Sequence, residues 1–161
     1  MKTLILLLAL TLSATTQAQI SKVSLQASGL TCSMCNNSIN KSLKTISFVE
    51  KVTPNIKTST FEILFKPGSQ IDFELLKKKV EAAGFTVSNF VATVNFNKTP
   101  IRNDQSVKVG NTTIKILNAR DQVLNGSKDV RIVNKGFVTG KEFKKSNYNL
   151  QSGKDVYHAT I

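Results

Sequence analysis

Hydrophobic residues in the first 100 positions repeat with two periods, one typical of strands and one typical of helices. Alternating apolar and polar residues predict four strands, the second and third joined as a hairpin. Spacings of three and four predict two amphipathic helices, the second starting after Asp72, which is a suitable N-cap. The residues that carry these periods are Val23, Leu25 and Ala27; Ile39, Leu43 and Ile46; Val52 and Ile56; Phe61, Ile63 and Phe65; Phe73, Leu76, Val80 and Ala83; and Phe85, Val87, Val91, Val94 and Phe96.

The predicted order of these elements is β-α-β-β-α-β. Two amphipathic helices on one face of a four-stranded antiparallel sheet bury all the apolar faces in the simplest way. We therefore predict an α+β domain with a ferredoxin-like fold over residues 19–96.

The rest of the chain has a different pattern. Residues 97–106 are polar and contain Pro100, so they are predicted to be a linker. Residues 107–161 contain several short apolar runs, and they predict a small β-rich domain of unknown role, with an OB-like barrel or a short sandwich as suitable folds.

The N-terminal residues 1–18 have the features of a secretory signal peptide. Lys2 precedes an apolar run from Leu4 to Leu12, and small residues lead to a cleavage point after Ala18. The apolar run is shorter than the roughly 20 residues that a membrane-spanning helix needs. We expect cleavage, a periplasmic or secreted location, and no membrane-spanning segment in the mature chain.

The net charge is strongly positive, at +12 with 22 Lys and Arg against 10 Asp and Glu, and losing Lys2 lowers it to +11. Such a charge raises the question of nucleic-acid binding. An exported protein rarely meets nucleic acid, so we predict no nucleic-acid partner and a solvated basic surface. Contact with anionic lipids or acidic proteins is the weaker alternative.

Cys32 and Cys35 are the only cysteines in the sequence. A disulfide between them closes a very short loop and removes little chain entropy, so a purely structural bridge is disfavoured. They lie between the first predicted strand and the first predicted helix, whose positive end stabilises thiolates. The spacing therefore indicates a metal site or a redox pair.

The choice of metal follows from the ligand count. Zinc in structural sites takes four ligands, whereas this motif offers two thiolates with no nearby His or third Cys. Soft thiolates select Cu(I) and similar ions. We predict Cu(I) as the bound ion, with Hg(II) as the alternative, and an incomplete shell that permits ligand exchange.

The stretch Gly29-Leu30-Thr31-Cys32-x-x-Cys35 resembles the Gly-Met-Thr-Cys-x-x-Cys signature of heavy-metal-associated domains. That family includes copper chaperones, N-terminal modules of copper-transporting ATPases and the periplasmic mercuric-ion binding protein. Residues 55–63 and 80–85 are similar to its central hairpin and to the end of its second helix. The resemblance covers about residues 20–96 and implies a βαββαβ fold with Cys32 and Cys35 as the metal ligands. Leu30 replaces the usual Met, which is a mild change of a packing residue.

Four other features have both a functional and a purely structural interpretation. Met34 is expected to be an exposed or packing side chain, with contact to copper as the alternative. The resemblance places Phe85 near the metal loop. His158 is expected to be structural, and the lysines at 77–79 are expected to be solvated surface.

These observations predict an exported soft-metal-binding protein that binds Cu(I) for copper trafficking or sequestration and is not an enzyme. The expected partner is a metal-transporting ATPase or another thiol-rich metal carrier, and the expected state is a monomer. A mercuric-ion scavenger is the alternative within the class. A thiol–disulfide oxidoreductase is less favoured, because such enzymes usually carry Trp before the first Cys and the sequence contains no Trp.

Overall fold

The structure is a computed structural model that describes residues 18–30, 33–146 and 156–161. The predicted signal peptide lies outside the described residues except for Ala18. No helix in the described part of the chain is long and apolar enough to cross a membrane. The elements are β1 (Gln19–Ser28), α1 (Ser33–Lys44), β2 (Val49–Asn55), β3 (Thr60–Phe65), α2 (Phe73–Ala82), β4 (Thr86–Ile101), β5 (Ser106–Val109), β6 (Thr112–Ile116), β7 (Gln122–Ile132), α3 (Gly140–Lys145) and β8 (Val156–Thr160).

The first six elements follow the predicted order and form the predicted fold. Strand β1 lies between β3 and β4 and is antiparallel to both, and β2 pairs with the other edge of β3. Val23 and Leu25 of β1 are fully buried, as are Ile39 and Leu43 of α1, because their apolar faces meet in one core. Asp72 caps α2 by accepting a hydrogen bond from the Leu75 N–H at 3.0 Å. The ferredoxin-like α+β fold is confirmed for this part of the chain.

Strand β4 corrects the prediction of a linker. It runs without a break to Ile101, and its outer edge pairs with β7 from Val91 opposite Arg131 to Ile101 opposite Gln122. The hydrophilic side chains of residues 97–99 are the reason that the sequence predicts a linker here. Their backbone lies in β4 beside β7, with a local irregularity where the Lys98 N–H donates to the Asn125 side chain.

The second half of the chain extends the same sheet, so the strands of residues 107–161 do not form an OB-like barrel of their own. The eight strands follow the order β2-β3-β1-β4-β7-β8-β6-β5. Neighbouring strands are antiparallel except for β6 and β8, which are parallel.

Aromatic side chains join the two halves into one core. The ring of Phe73 in α2 contacts Phe90 in β4 at 4.9 Å between centroids and Tyr157 in β8 at 5.0 Å. Phe137 lies between them, at 5.0 Å from Phe90 and 5.6 Å from Tyr157. Edge-to-face contacts of this kind stabilise beyond the area that they bury. Residues before and after position 97 therefore depend on each other for burial.

Helix α3 packs on the opposite face of the sheet from α1 and α2. Arg131 alternates with buried Val130 and Ile132 in β7, so its guanidinium points to that opposite face. It donates two hydrogen bonds to the Glu142 carboxylate, at 2.6 and 2.9 Å, and a third to Asn89 at 2.6 Å. The hydrogen bonds from Arg131 lower the pKa of Glu142. This bidentate pair fixes α3 against β4 and β7.

His158 is a buried polar residue of β8. Its backbone N–H donates to the Asn134 side chain at 2.6 Å, while its ring Nδ1 has no hydrogen-bond partner among the described residues. Burial lowers the pKa of His158, and Lys115, directly opposite on β6, lowers it further against a smaller opposing effect of Asp104. The expectation of a structural role agrees with this environment.

We predict that Phe137→Ala destabilises the whole chain by about 3–5 kcal/mol, since a fully buried aromatic ring leaves a cavity between the two halves. Urea unfolding followed by circular dichroism should show one transition, shifted to lower denaturant. The exposed Val123→Ala variant is the control and should change little. Two separate transitions, with only one of them shifted, would contradict a shared core.

We also predict that stability falls as the pH drops below about 6.5. The unfolded chain takes up a proton on His158 near its ordinary pKa of 6.5, whereas the folded chain resists it because the folded pKa is lowered. The contribution is complete above pH 6.5 and is lost progressively until the pH reaches the folded pKa. Because His158 is the only histidine, His158→Gln should flatten the unfolding free energy between pH 7 and 5.5. If the unfolding free energy of that variant fell with pH as steeply as that of the wild type, His158 would not be the source of the pH dependence.

Candidate metal centre

The loop that leads to the cysteines starts at a sharp turn after β1. Ser28 ends the strand opposite Thr86, and their hydroxyl oxygens are 2.7 Å apart. Gly29 follows with a φ of +84°, a backbone conformation that side chains with a Cβ rarely adopt. The turn directs the chain from the sheet towards the start of α1.

Cys35 lies in the first turn of α1, which begins at Ser33. The side chain of Cys35 is half-buried. The first turn contains no Asp or Glu, and the last turn contains Lys41 and Lys44. No carboxylate in the first turn therefore neutralises the partial positive charge of the helix start. This charge favours a thiolate at Cys35 in the reduced protein.

The other predicted ligand, Cys32, lies outside the described residues, as does Thr31. Cys35 takes part in a disulfide in this structure. A thiolate is the form of cysteine that binds metal, so the oxidised form must be reduced before Cys35 can act as a ligand. The two soft sulfur donors of a Cys-x-x-Cys motif fit a soft ion of low coordination number better than zinc.

Apolar side chains support the loop on its inner side. Leu30 is partly buried and packs against the main core, as expected for the residue that replaces the family's usual Met. Phe85 is also partly buried against this core, and a Cβ added at Gly29 would lie 3.9 Å from its ring atom Cδ1. The structure therefore places Phe85 beside the start of the metal loop, as the resemblance implied.

The remaining candidates lie in different places. Met34 is next to Cys35 and 81% exposed, whereas His158 is buried in β8. Lys77 differs from the expected solvated surface, because its ammonium group pairs with Glu74 and lies 5.0 Å from the centroid of the Phe137 ring. No group of three or more His, Cys, Asp or Glu side chains that could hold a metal is found among the described residues.

One buried residue near the site was not singled out from the sequence. Asn36 follows Cys35 and is only 5% exposed, on the same face of α1 as Ile39 and Leu43. Asn36 lies three residues before Ile39 and seven before Leu43. This helical spacing was the sequence signal that could have placed it on the buried face. A polar side chain on the apolar face, directly after a candidate metal ligand, is a candidate for positioning the helix start.

The family model of the heavy-metal-associated domain matches residues 24–86. Residues 24–86 form a heavy-metal-associated domain. This range lies within the range of about 20–96 that the sequence resemblance indicated, and it contains the Cys-x-x-Cys motif, α1, the hairpin and α2. The heavy-metal-associated domains that match this chain are metal-binding domains. The matches with individual proteins cover less than half of the chain.

Two curated relatives are copper transporters by name. A probable copper-exporting P-type ATPase from Archaeoglobus fulgidus is 36% identical over 70 residues, which are 44% of this chain and 9% of the ATPase. A probable copper-transporting ATPase HMA5 from Arabidopsis thaliana is 33% identical over 69 residues, 43% of this chain and 7% of the ATPase. This chain thus spans less than a tenth of the length of either relative.

Solved structures match a similar share of the chain. The yeast copper transporter domain Ccc2a shares 27% identity, with 42% of this chain and 90% of that domain covered and a TM-score of 0.37. A putative copper-ion-binding protein from Bacillus anthracis shares 26% identity over 43% of this chain and 96% of that one, with a TM-score of 0.39. Oxidised MerP from Ralstonia metallidurans shares 27% identity over 44% and 94%, also with a TM-score of 0.39.

We predict that Phe85→Ala makes the reduced thiols more reactive, because removing the ring loosens the loop that starts at Gly29. The rate of iodoacetamide alkylation of the reduced full chain should rise, while the loss of stability stays below that expected for a fully buried ring. Phe65→Ala is the matched control, since Phe65 is buried at the opposite end of the sheet. Equal alkylation rates in wild type and Phe85→Ala would contradict a role in shielding the loop.

Proposed function

We propose that this protein binds one Cu(I) ion through Cys32 and Cys35 and carries or sequesters it, without turning over a substrate. The observation that carries the proposal is the position of Cys35. It is half-buried in the first turn of α1, inside a heavy-metal-associated domain, with no carboxylate in that turn to oppose a thiolate. The copper transporters among the relatives support the choice of copper.

Each element around the loop has a defined part in this function. The start of α1 stabilises negative sulfur, so it lowers the cost of holding two thiolates close together. Leu30 and Phe85 cover the inner side of the loop and limit the access of water. Two thiolates leave the coordination shell of Cu(I) incomplete, so an incoming thiolate can replace one ligand at a time.

Binding requires reduction of the pair first. An external thiol reductant supplies the two electrons and two protons that convert the disulfide to two thiols, and is itself oxidised to a disulfide. Both thiol protons leave when Cu(I) binds as a dithiolate complex. In an oxidising compartment, which the predicted signal peptide favours, metal binding and disulfide formation compete for the same sulfurs. Bound Cu(I) removes reduced protein from the equilibrium and so protects the pair from oxidation.

The partner in this proposal offers or accepts the ion through its own thiolates. A metal-transporting ATPase or another thiol-rich carrier has the required chemistry, because exchange proceeds through shared sulfur ligands. Hg(II) is the alternative cargo, since it also accepts two thiolates. A thiol–disulfide oxidoreductase is the alternative of another class, and turnover of a disulfide substrate distinguishes it from a carrier.

We predict that the reduced full chain binds one equivalent of Cu(I) and that the double variant Cys32→Ser/Cys35→Ser loses tight binding. Binding is measured anaerobically by competition with a chromogenic Cu(I) chelator, and circular dichroism checks that the variant is folded. Ser33→Ala, which leaves both sulfurs in place, is the control and should bind like the wild type. One-to-one tight binding by the folded double variant would refute the assignment of the site.

A further inference from the structure

Met34 is the most exposed large hydrophobic side chain among the described residues, at 81%. It lies in the first turn of α1, directly before Cys35 and within the Cys-x-x-Cys motif. Its side chain therefore gains little from packing against the protein. A side chain as exposed as this contributes little burial energy to the fold, so its thioether is free to contact groups outside the core.

Methionine is not used in the described core of the protein. The sequence contains two methionines, Met1 and Met34. The buried core of the described residues is built from Val, Ile, Leu, Phe, Ala and Tyr. The chain thus does not use the flexible thioether to fill its described core, which is the ordinary role of methionine. Its one internal thioether stands between its two thiols.

We propose that Met34 is a third, labile sulfur ligand of the bound Cu(I), an inference that rests on the proposed function of the cysteine pair. Thioethers share with thiolates the softness that selects Cu(I). Consecutive Cα atoms are about 3.8 Å apart, and the Met side chain is unbranched with three rotatable bonds, so its sulfur can reach an ion held at Cys35. The high exposure of Met34 means that no packing contact has to break when it turns towards the ion.

This third ligand makes the site prefer Cu(I) and Ag(I) to Hg(II). It also sets the order in which the ligands are replaced. A neutral thioether adds no charge to the dithiolate complex and binds more weakly than a thiolate, so it leaves first when a partner's thiolate approaches. A three-sulfur shell suits Cu(I) and Ag(I). Hg(II) is satisfied by the two thiolates and has less need of Met34.

The test uses the reduced full chain with its methionine methyl groups labelled with ¹³C. One equivalent of Ag(I), a redox-inert substitute for Cu(I), should shift the methyl signal of Met34 and leave that of Met1 in place. One equivalent of Hg(II) should leave both signals unshifted. In parallel, Met34→Leu should bind Cu(I) about tenfold more weakly in the chelator competition, a change of about 1.4 kcal/mol. Ile56→Leu, at another exposed hydrophobic residue, should bind like the wild type.

The outcomes separate this inference from the proposed function. If one ion binds through the cysteines while the Met34 signal does not respond to Ag(I) and Met34→Leu binds like wild type, Met34 is not a ligand and the cysteine site stands. If Hg(II) shifts the Met34 signal as much as Ag(I), the proposed preference is wrong. If the folded double cysteine variant still binds one ion tightly, the proposed function itself fails.

Discussion

Strand β4 is hydrogen-bonded on both of its edges, to β1 on one side and to β7 on the other, and the rest of the structure depends on this double pairing. The start of β4 lies beside the end of β1, where the metal loop begins. Its later residues hold the strands of the second half in the same sheet. One strand therefore connects the heavy-metal-associated domain to residues that the family match does not cover.

The same pairing explains why the core is continuous. Phe90 projects from β4 to the helix side of the sheet, where Phe73 and Phe137 meet it from different halves of the chain. The loop that contains Phe137 also reaches α2 through Lys77, whose chain lies 3.1 Å from a Cβ built on Gly136. This contact joins the loop to the helix that lies beside α1 over the sheet.

The base of the candidate site is built from residues that belong to the sheet and the core. The strand ends at Ser28 and Thr86, the turn at Gly29 and the partly buried Phe85 fix where the loop leaves the sheet. Cys35 is held by a helix whose apolar face is anchored in the core, while Met34 beside it extends into solvent. The described residues around the loop are thus preorganised by the core, which is what a binding site needs to hold its ligands in place.

Local sequence patterns were sufficient to predict the fold of the first half of the chain. The periods of two and 3.6 residues reflect the burial of Val23, Leu25, Ile39 and Leu43. The two cysteines were sufficient to select a candidate metal site, which stays a prediction. The pairing of β4 with β7 could not be predicted in this way, because hydrogen bonds between distant strands leave no local signal.

The polar residues at 97–99 concealed the continuing strand, since a strand with solvent-exposed side chains has the composition of a linker. The environment of Lys77 could not be predicted for a related reason. Glu74 is its neighbour in sequence, but Phe137, whose ring lies beside its ammonium group, is distant in sequence.

The most direct test of the account is native-state hydrogen exchange of the reduced full chain with and without one equivalent of Cu(I). Binding to the folded state stabilises every residue of one cooperative unit equally, by about 2.7 kcal/mol when free ligand exceeds the dissociation constant 100-fold. The account predicts that the slowest amides of β7 and β8 slow by the same factor as those of β1 and β4. Slowing confined to residues 24–86, or no slowing at all, would contradict it.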